Sequence, residues 1–233
     1  MGMKTDRVCD DGVMATQTAF QSSDSGSIPT SSLQNFTCSE ISYDHAYEVV
    51  SAFHYLGKKR FLGQHAFGLI DGIQVIGAVV YSPLSVPNSA TSCFGLPRGN
   101  YPEFVEMSRL VLSPDLNGGN AGSYLVGYSL RQLKKKGIKA VISYADASRH
   151  FGAIYQACNF TYHGLTPQKN DFYYDGGTKK LSRGKASDKV GFWTPRPRKH
   201  RYLYIFDKTL KTIWPQEPFP KANVDAIKKT GER

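Results

Sequence analysis

Cysteine, tryptophan and long apolar runs are all scarce in this sequence, and each scarcity narrows what the chain is. The four cysteines among 233 residues, Cys9, Cys38, Cys93 and Cys158, stand far apart and form no C-x-x-C pair. That spacing excludes an ordinary zinc site and points to free thiols in a reducing cytosol. Cys93, beside Phe94 in an expected loop, is read as an inert thiol. No stretch approaches the roughly eighteen apolar residues that a spanning helix needs, so no membrane contact is expected. Lys4 and Arg7 are followed by no apolar segment of the kind a secretory signal carries, and the expected location is the cytoplasm.

What the chain does contain is an ordinary globular composition, 40% hydrophobic and 12% aromatic, with 22 Gly and 14 Tyr. That is enough for one good core and short for two. The net charge is +10, and it is unevenly placed: from Thr166 to Arg233 there are 16 Lys and Arg against 7 Asp and Glu. Clustered cations favour a polyanion through release of its counterions. A basic surface kept for solubility is the competing reading.

Residues 1–35 are rich in Ser, Thr, Gln and Asp, lack any apolar period, and are read as a disordered tail. An α/β domain is expected over 36–165, a basic β extension packed on it over 166–210, and a second tail over 211–233. The domain opens with a strand at Phe36–Ile41 and a helix at Tyr43–His54, where Ala46, Val49, Val50 and Phe53 recur at helical spacing. Two apolar runs, Ala66–Ile70 and Ile73–Tyr81, meet at Asp71-Gly72, a strong hairpin signal. A Pro- and Gly-punctuated loop spans Ser82–Tyr101. Then come a strand (Phe104–Leu112), a Gly-rich turn, a helix (Tyr124–Lys136), a strand (Ala140–Tyr144), a helix (Ser148–Ala157) and a strand opening at Phe160. That order implies an α/β sheet with a parallel step. Further short strands are expected at Phe172–Tyr174, Gly191–Trp193 and Tyr202–Phe206.

The turn Asn117-Gly118-Gly119-Asn120-Ala121-Gly122-Ser123 leads from a strand into a helix, where exposed N–H groups and the positive helix end form an anion cradle. Some thirty residues on stand Ile154-Tyr155 and Asn159-Phe160. Together these resemble the GNAT acyltransferase superfamily, in which a Gly-rich turn binds the pyrophosphate of coenzyme A and a later helix carries Leu-Tyr before Gly-Phe. Two departures stand out: Asn117 where Arg or Gln is usual, and Asn120 where Gly is usual. Glu106-Met-Ser-Arg109-Leu110, Ser143-Tyr-Ala-Asp146, His150, Ile154-Tyr-Gln-Ala157, Lys199-His-Arg-Tyr202 and His54-Tyr55 more closely resemble the Mom family of phage DNA-modification proteins. The resemblance implies a GNAT-like mixed sheet flanked by helices, and an enzyme that adds a carbamoylmethyl group to the exocyclic amine of adenine in phage DNA. Such a modification shields phage DNA from host restriction nucleases.

The resemblance puts Asp146, Tyr155, His54 and Glu106 at the catalytic centre. Asp146 is also placed to cap the following helix, Tyr155 to be a core tyrosine, and His54 to pack against or cap its helix. Glu106 lies among apolar strand residues, where a charge needs a partner, and Arg109 is the candidate. Arg196, Arg198, Lys199, Arg201 and Tyr202 put four cations in six residues beside an aromatic ring, a composition suited to double-stranded DNA. The donor is either acetyl-CoA or an aminoacyl (glycyl) unit, the latter making tRNA a second partner. Iron held by His, Tyr and Asp is a further arrangement, although no spacing singles out metal ligands. Two other functions fit part of the pattern: a conventional GNAT N-acyltransferase acting on a small amine or protein, and a non-catalytic DNA-binding protein on the same scaffold.

Overall fold

The computed structural model describes residues 36–55, 57–86, 88–116, 119–181 and 190–220, so the expected N-terminal tail and most of the C-terminal one lie outside the described residues. Strand β1 (Phe36–Glu40) and helix α1 (Tyr43–Phe53) come first among the described residues, with the Ser42 side chain accepting from His45 N as the helix N-cap. Strands β2 (His65–Asp71) and β3 (Gln74–Pro83) form the expected hairpin. Its two loop residues are Gly72, at φ 58°, and the exposed Ile73, since Asp71 pairs with Gln74. Glycine accepts that φ without strain.

The region read as one long loop contains a short helix, α2 (Ser89–Phe94), ended by Gly95. Ser89, Ala90, Cys93 and Phe94 are buried, and this cluster packs with Phe104, Ala140 and Ile142. Proline and glycine punctuation hid an element too short to show a helical period.

Strand β4 (Phe104–Leu112) is followed by a 3-10 turn and by α3 (Ala121–Lys135), then by β5 (Ala140–Asp146). The helix starts three residues earlier than its sequence pattern, because Ala121 and Gly122 are buried in its first turn. Leu125 and Leu133 are fully buried, each contributing about 1.5–3 kcal/mol. Helix α4 is only Ala153–Ala157, shorter than expected. The residues before it are consumed by a turn at Asp146 and by Gly152, at φ 77°.

The main sheet has seven strands in the order β1-β2-β3-β4-β5-β10-β6, where β6 is Thr161–Leu165 and β10 is Lys199–Ile205. Only β4 and β5 run parallel. The basic extension is therefore not merely packed on the domain. Its last strand lies inside the sheet, paired with β5 on one side and β6 on the other. The other short strands, β7 (Asn170–Tyr174), β8 (Lys179–Lys180) and β9 (Gly191–Pro195), form a separate three-stranded sheet. The described part of the expected C-terminal tail is also tied down: Ile213 N donates to Cys93 O, Glu217 N donates to Tyr162 O, and Phe219 stacks near Tyr162 and Tyr202.

Candidate functional site

Strands β4 and β5 pair only from Phe104↔Ala140 to Met107↔Ser143. Beyond that point β4 continues beside β3 and β5 continues beside β10, so the two parallel strands part. A bulge helps the departure. Tyr81 pairs with Met107 and Val80 with Arg109, leaving Ser108 unmatched, and such bulges bend and twist the bulged strand. The gap lies at the carboxyl end of β5, where α/β sheets commonly bind ligands.

Tyr155 sits at this gap. Its side chain is nearly buried, stacks on Tyr202 at 4.5 Å between ring centroids, and meets Phe160 edge-on. Ser143 Oγ lies 2.8 Å from the Tyr155 hydroxyl and 3.3 Å from the Met107 carbonyl. Ser143 is the donor in both contacts and shares its one hydroxyl hydrogen between them, so the Tyr155 oxygen accepts from Ser143 and the phenol keeps its own hydrogen for another partner. Burial pushes the Tyr155 phenol up to about 12; the Ser143 hydrogen bond opposes the rise, and Glu106 and Tyr55 add to it. Gly152 supplies the approach: a Cβ there would stand 2.7 Å from the Tyr155 ring. Asn159 takes φ 60° where the GNAT pattern has glycine, and Asn is among the side chains that tolerate this region.

His54 ends α1, its N–H bonded to Val50 O and its ring stacked 4.4 Å from Tyr55. The Arg149 guanidinium lies 4.3 Å over the Tyr55 ring. Burial, with Arg109, Arg149 and His150 nearby, pulls His54 down to about 4, so it is neutral at physiological pH. The structure thus gathers His54, Tyr55, Arg109, Arg149 and His150 on the side of the gap where α1 ends. Of these, only His54 stood among the sequence candidates for catalysis. The short Mom-like motifs contained Tyr55, Arg109 and His150, but nothing in the sequence showed that they converge.

The two carboxylates are engaged. Asp146 Oδ1 accepts from Ser148 N at 3.0 Å and Ser148 Oγ at 2.6 Å, and Oδ2 lies 4.0 Å from Arg149 Nε. Burial would raise the Asp146 carboxyl, but the Ser148 hydrogen bonds and the charges of Arg149 and Lys199 hold it below its usual range. Its capping contact is with the turn before α4, and its Oδ2 is left to the cation cluster. Glu106 Oε2 accepts from Ser85 N at 3.1 Å and Ser85 Oγ at 2.5 Å. Its partner is therefore Ser85 and not Arg109, whose guanidinium turns to Phe61 at 5.2 Å and donates to Ser108 O. The bulge at Ser108 had no sequence signal.

Of the expected anion cradle, Asn117 and Gly118 lie outside the described residues. Gly119 and Asn120 are exposed before α3, and Ser123 Oγ donates back to Asn120 O at 2.9 Å. Gly122 serves packing: a Cβ there would meet Ile154 Cδ1 at 3.1 Å and Leu112 Cδ1 at 3.4 Å. The basic segment divides in two. Arg196 and Lys180 both bind Asp171, and the Arg196 hydrogen bond, with that of Lys180 and both charges, holds it down to about 2 against its burial; Arg201 lies 4.6 Å over Trp214. Arg198 donates to Thr166 O yet stays exposed, as does Lys199. Tyr202 is fully buried in the Tyr155 stack and offers no face to a base, which corrects the expectation for it.

Among the described residues, no group of three or more His, Cys, Asp or Glu side chains is placed to hold a metal ion. Also among the described residues, no helix is long and apolar enough to cross a membrane. Burial pushes the thiols of Cys38, Cys93 and Cys158 each up to about 12, as inert cysteines require.

Several solved acetyltransferase structures overlap with this one. The ribosomal-protein-S18-alanine N-acetyltransferase of Escherichia coli is 12% identical and overlaps at a TM-score of 0.47, over 74% of this chain and 94% of that one. A putative acetyltransferase of Acinetobacter baylyi is 15% identical, with a TM-score of 0.47 over 73% and 92%. An acetyltransferase of Bacillus subtilis solved in complex with CoA is 14% identical, with a TM-score of 0.44 over 74% and 98%. No curated protein matches the chain. A family model does match it, over residues 35–221 and so across both the splayed sheet and the basic strands, and the chain belongs to the Mom protein family.

Proposed function

We propose that this protein is a transferase that modifies the exocyclic amine of adenine in DNA with a carbamoylmethyl-type group. The observation that carries the reading is the Tyr155–Ser143 pair at the gap between two splayed parallel strands, in a chain matched over 35–221 by the Mom family model. An adenine amine in duplex DNA is paired and stacked, so the base must leave the helix to reach such a gap.

The environment of Tyr155 bears on the donor. A phenol pushed up to about 12 keeps its proton and is a poor acid toward a thiolate, whose thiol titrates near about 8.5. It is a suitable acid toward an alkoxide, the leaving group of an ester. That favours a glycyl ester, as on an aminoacyl-tRNA, over the thioester of acetyl-CoA. When the adenine nitrogen attacks the glycyl carbonyl, the N–C bond forms, the ester C–O bond breaks, and Tyr155 protonates the departing oxygen. Asp146 Oδ2 takes the proton the nitrogen loses. The first product is the glycyl amide, an isomer of carbamoylmethyladenine; conversion breaks the adenine N–C(O) bond and the glycyl N–CH2 bond and forms an adenine N–CH2 bond and a glycyl N–C(O) bond, with no atom gained or lost and no change of overall oxidation state.

The test is mass spectrometry of nucleosides from cells expressing the chain, with fragmentation to separate the two isomers. A deoxyadenosine heavier by the elements of a glycyl residue is expected. An acetylated deoxyadenosine would transfer the assignment to a conventional acyl donor, and unmodified DNA would sink the reading.

A further inference from the structure

The three-stranded sheet is the far end of a ribbon that starts in the main sheet. Strands β6 and β10 pair up to Leu165↔His200, Thr166 N donates to Lys199 O, Arg196 N donates to Lys169 O, and pairing resumes at Asn170↔Pro195. Gln168 Nε2 bridges the two sides by donating to both Lys169 O and Arg196 O. The ribbon leaves the main sheet at its gap end, because Lys199 lies opposite Asp146, the last residue of β5. From Pro195 to Lys199 is four residues, a reach of about 14 Å at full extension. The small sheet therefore stands beside the mouth of the proposed site.

Its edge strand β9 exposes large rings: Phe192 is 53% and Trp193 60% exposed. Successive strand residues face opposite sides, so these rings belong to different faces. Trp193 packs on the buried Phe172, and the cation on its face, Lys179, is matched by Asp175. Phe192 lies on the other face, stacked with Tyr173 at an interplanar angle of 19°. Lys180 Nζ stands 5.9 Å from the centre of the Tyr173 ring. There, two cations, Lys180 and Arg196, share the single carboxylate of Asp171, so the face keeps a net positive charge. An exposed aromatic edge strand is a liability unless something covers it. Among the described residues between Thr166 and Arg201, seven Lys and Arg stand against two Asp, so a polyanion with flat apolar faces matches both features.

We infer that the Phe192–Tyr173 face is a stacking platform for unpaired DNA bases beside the extruded adenine. The inference rests on the proposed function for its choice of DNA. Flat rings with flanking cations are how sequence-tolerant single-strand binding works, since every base offers a π face. Extruding one base leaves its neighbours without a partner, and a platform at the gap end of the sheet would hold them.

The experiment is fluorescence anisotropy of the full chain with three labelled ligands: a paired duplex, the same duplex with a short internal bubble, and RNA of the bubble strand. Phe192→Ala and Phe192→Leu should weaken bubble binding about tenfold, leave duplex binding nearly unchanged and leave its salt dependence unaltered, because stacking releases no counterions. Phe192→Trp, which keeps a flat ring, should bind the bubble as the wild type does. Unchanged bubble affinity in the Ala and Leu variants would overturn the platform, as would equal losses on duplex and bubble together with a lowered melting temperature. RNA bound more tightly than bubble DNA would overturn the choice of DNA, and a dimer that Phe192→Ala dissociates would make the face a contact between copies. Bubble binding that depends on Phe192, without modified deoxyadenosine in cells, would leave the platform standing and sink the transferase reading. Modification with no dependence of binding on Phe192 would sink the platform alone.

Discussion

The Ser143 hydroxyl stands 2.8 Å from the Tyr155 hydroxyl, joining the last β5 residue that pairs with β4 to a five-residue helix twelve positions later. This contact fixes where the phenol points, and the Tyr202 ring stacked on Tyr155 fixes its plane.

Tyr155→Phe removes the hydroxyl and leaves the stack. Loss of one buried hydrogen bond should cost about 1 kcal/mol in stability, while modification should fall about a hundredfold or more if the phenol is the acid. Thermal melting and timed nucleoside mass spectrometry read the two effects separately. Activity close to wild type would return Tyr155 to a packing role.

Asp146 divides its two oxygens between a turn and a cation. Asp146→Asn keeps an acceptor for Ser148 and should melt near the wild-type temperature, yet lose modification with its charge. Asp146→Ala should lose modification and also about 1 kcal/mol of stability, as lost caps do. Full activity in the Asn variant would assign the carboxylate to the turn alone.

Gly152→Ala should be more damaging than its size implies. The position has φ 77°, and the added Cβ would press on the Tyr155 ring at 2.7 Å and the Tyr202 ring at 3.0 Å. A cost of about 2 kcal/mol or more is expected from strain and overpacking combined. Chemical denaturation measures it; a loss below about 0.5 kcal/mol would mean that the stack shifts freely.

The lowered His54 makes stability depend on pH. In the fold it titrates near about 4, and in the unfolded chain near about 6.5, so the unfolded state binds more protons between them. The contribution is present above about pH 6.5 and is lost as pH falls toward about 4. His65, His150, His163 and His200 are lowered too and should act in the same direction. Melting temperature should therefore fall across that window, and His54→Gln should flatten the fall. Equal slopes in the variant and the wild type would remove His54 from the account.

The basic segment should split by function. Replacing Arg198 and Lys199 by Ala should lower the slope of log affinity for DNA against log salt by about two, one counterion for each phosphate contact. Arg196→Ala should instead lower stability, because Asp171 is buried and would keep only Lys180. A salt slope untouched by the Arg198 and Lys199 changes would leave that surface merely solvated.

Local chemistry was legible in the sequence, and assembly was not. Apolar period gave α1 and α3, the Asp71-Gly72 pair gave the hairpin, and the alternation of strands and helices gave the parallel step, since each depends on neighbours within a few residues. The order of short motifs also carried the family. The insertion of β10 between β5 and β6 was decided elsewhere, by pairing Lys199–Ile205 with residues some sixty positions away. Nor did any local pattern tell that Tyr202 is buried against Tyr155, that Glu106 turns to Ser85, or that Arg196 is held by Asp171. A side chain's type is written in the sequence, but its partner depends on which strands become neighbours, and the long-range hydrogen-bond ladder settles that.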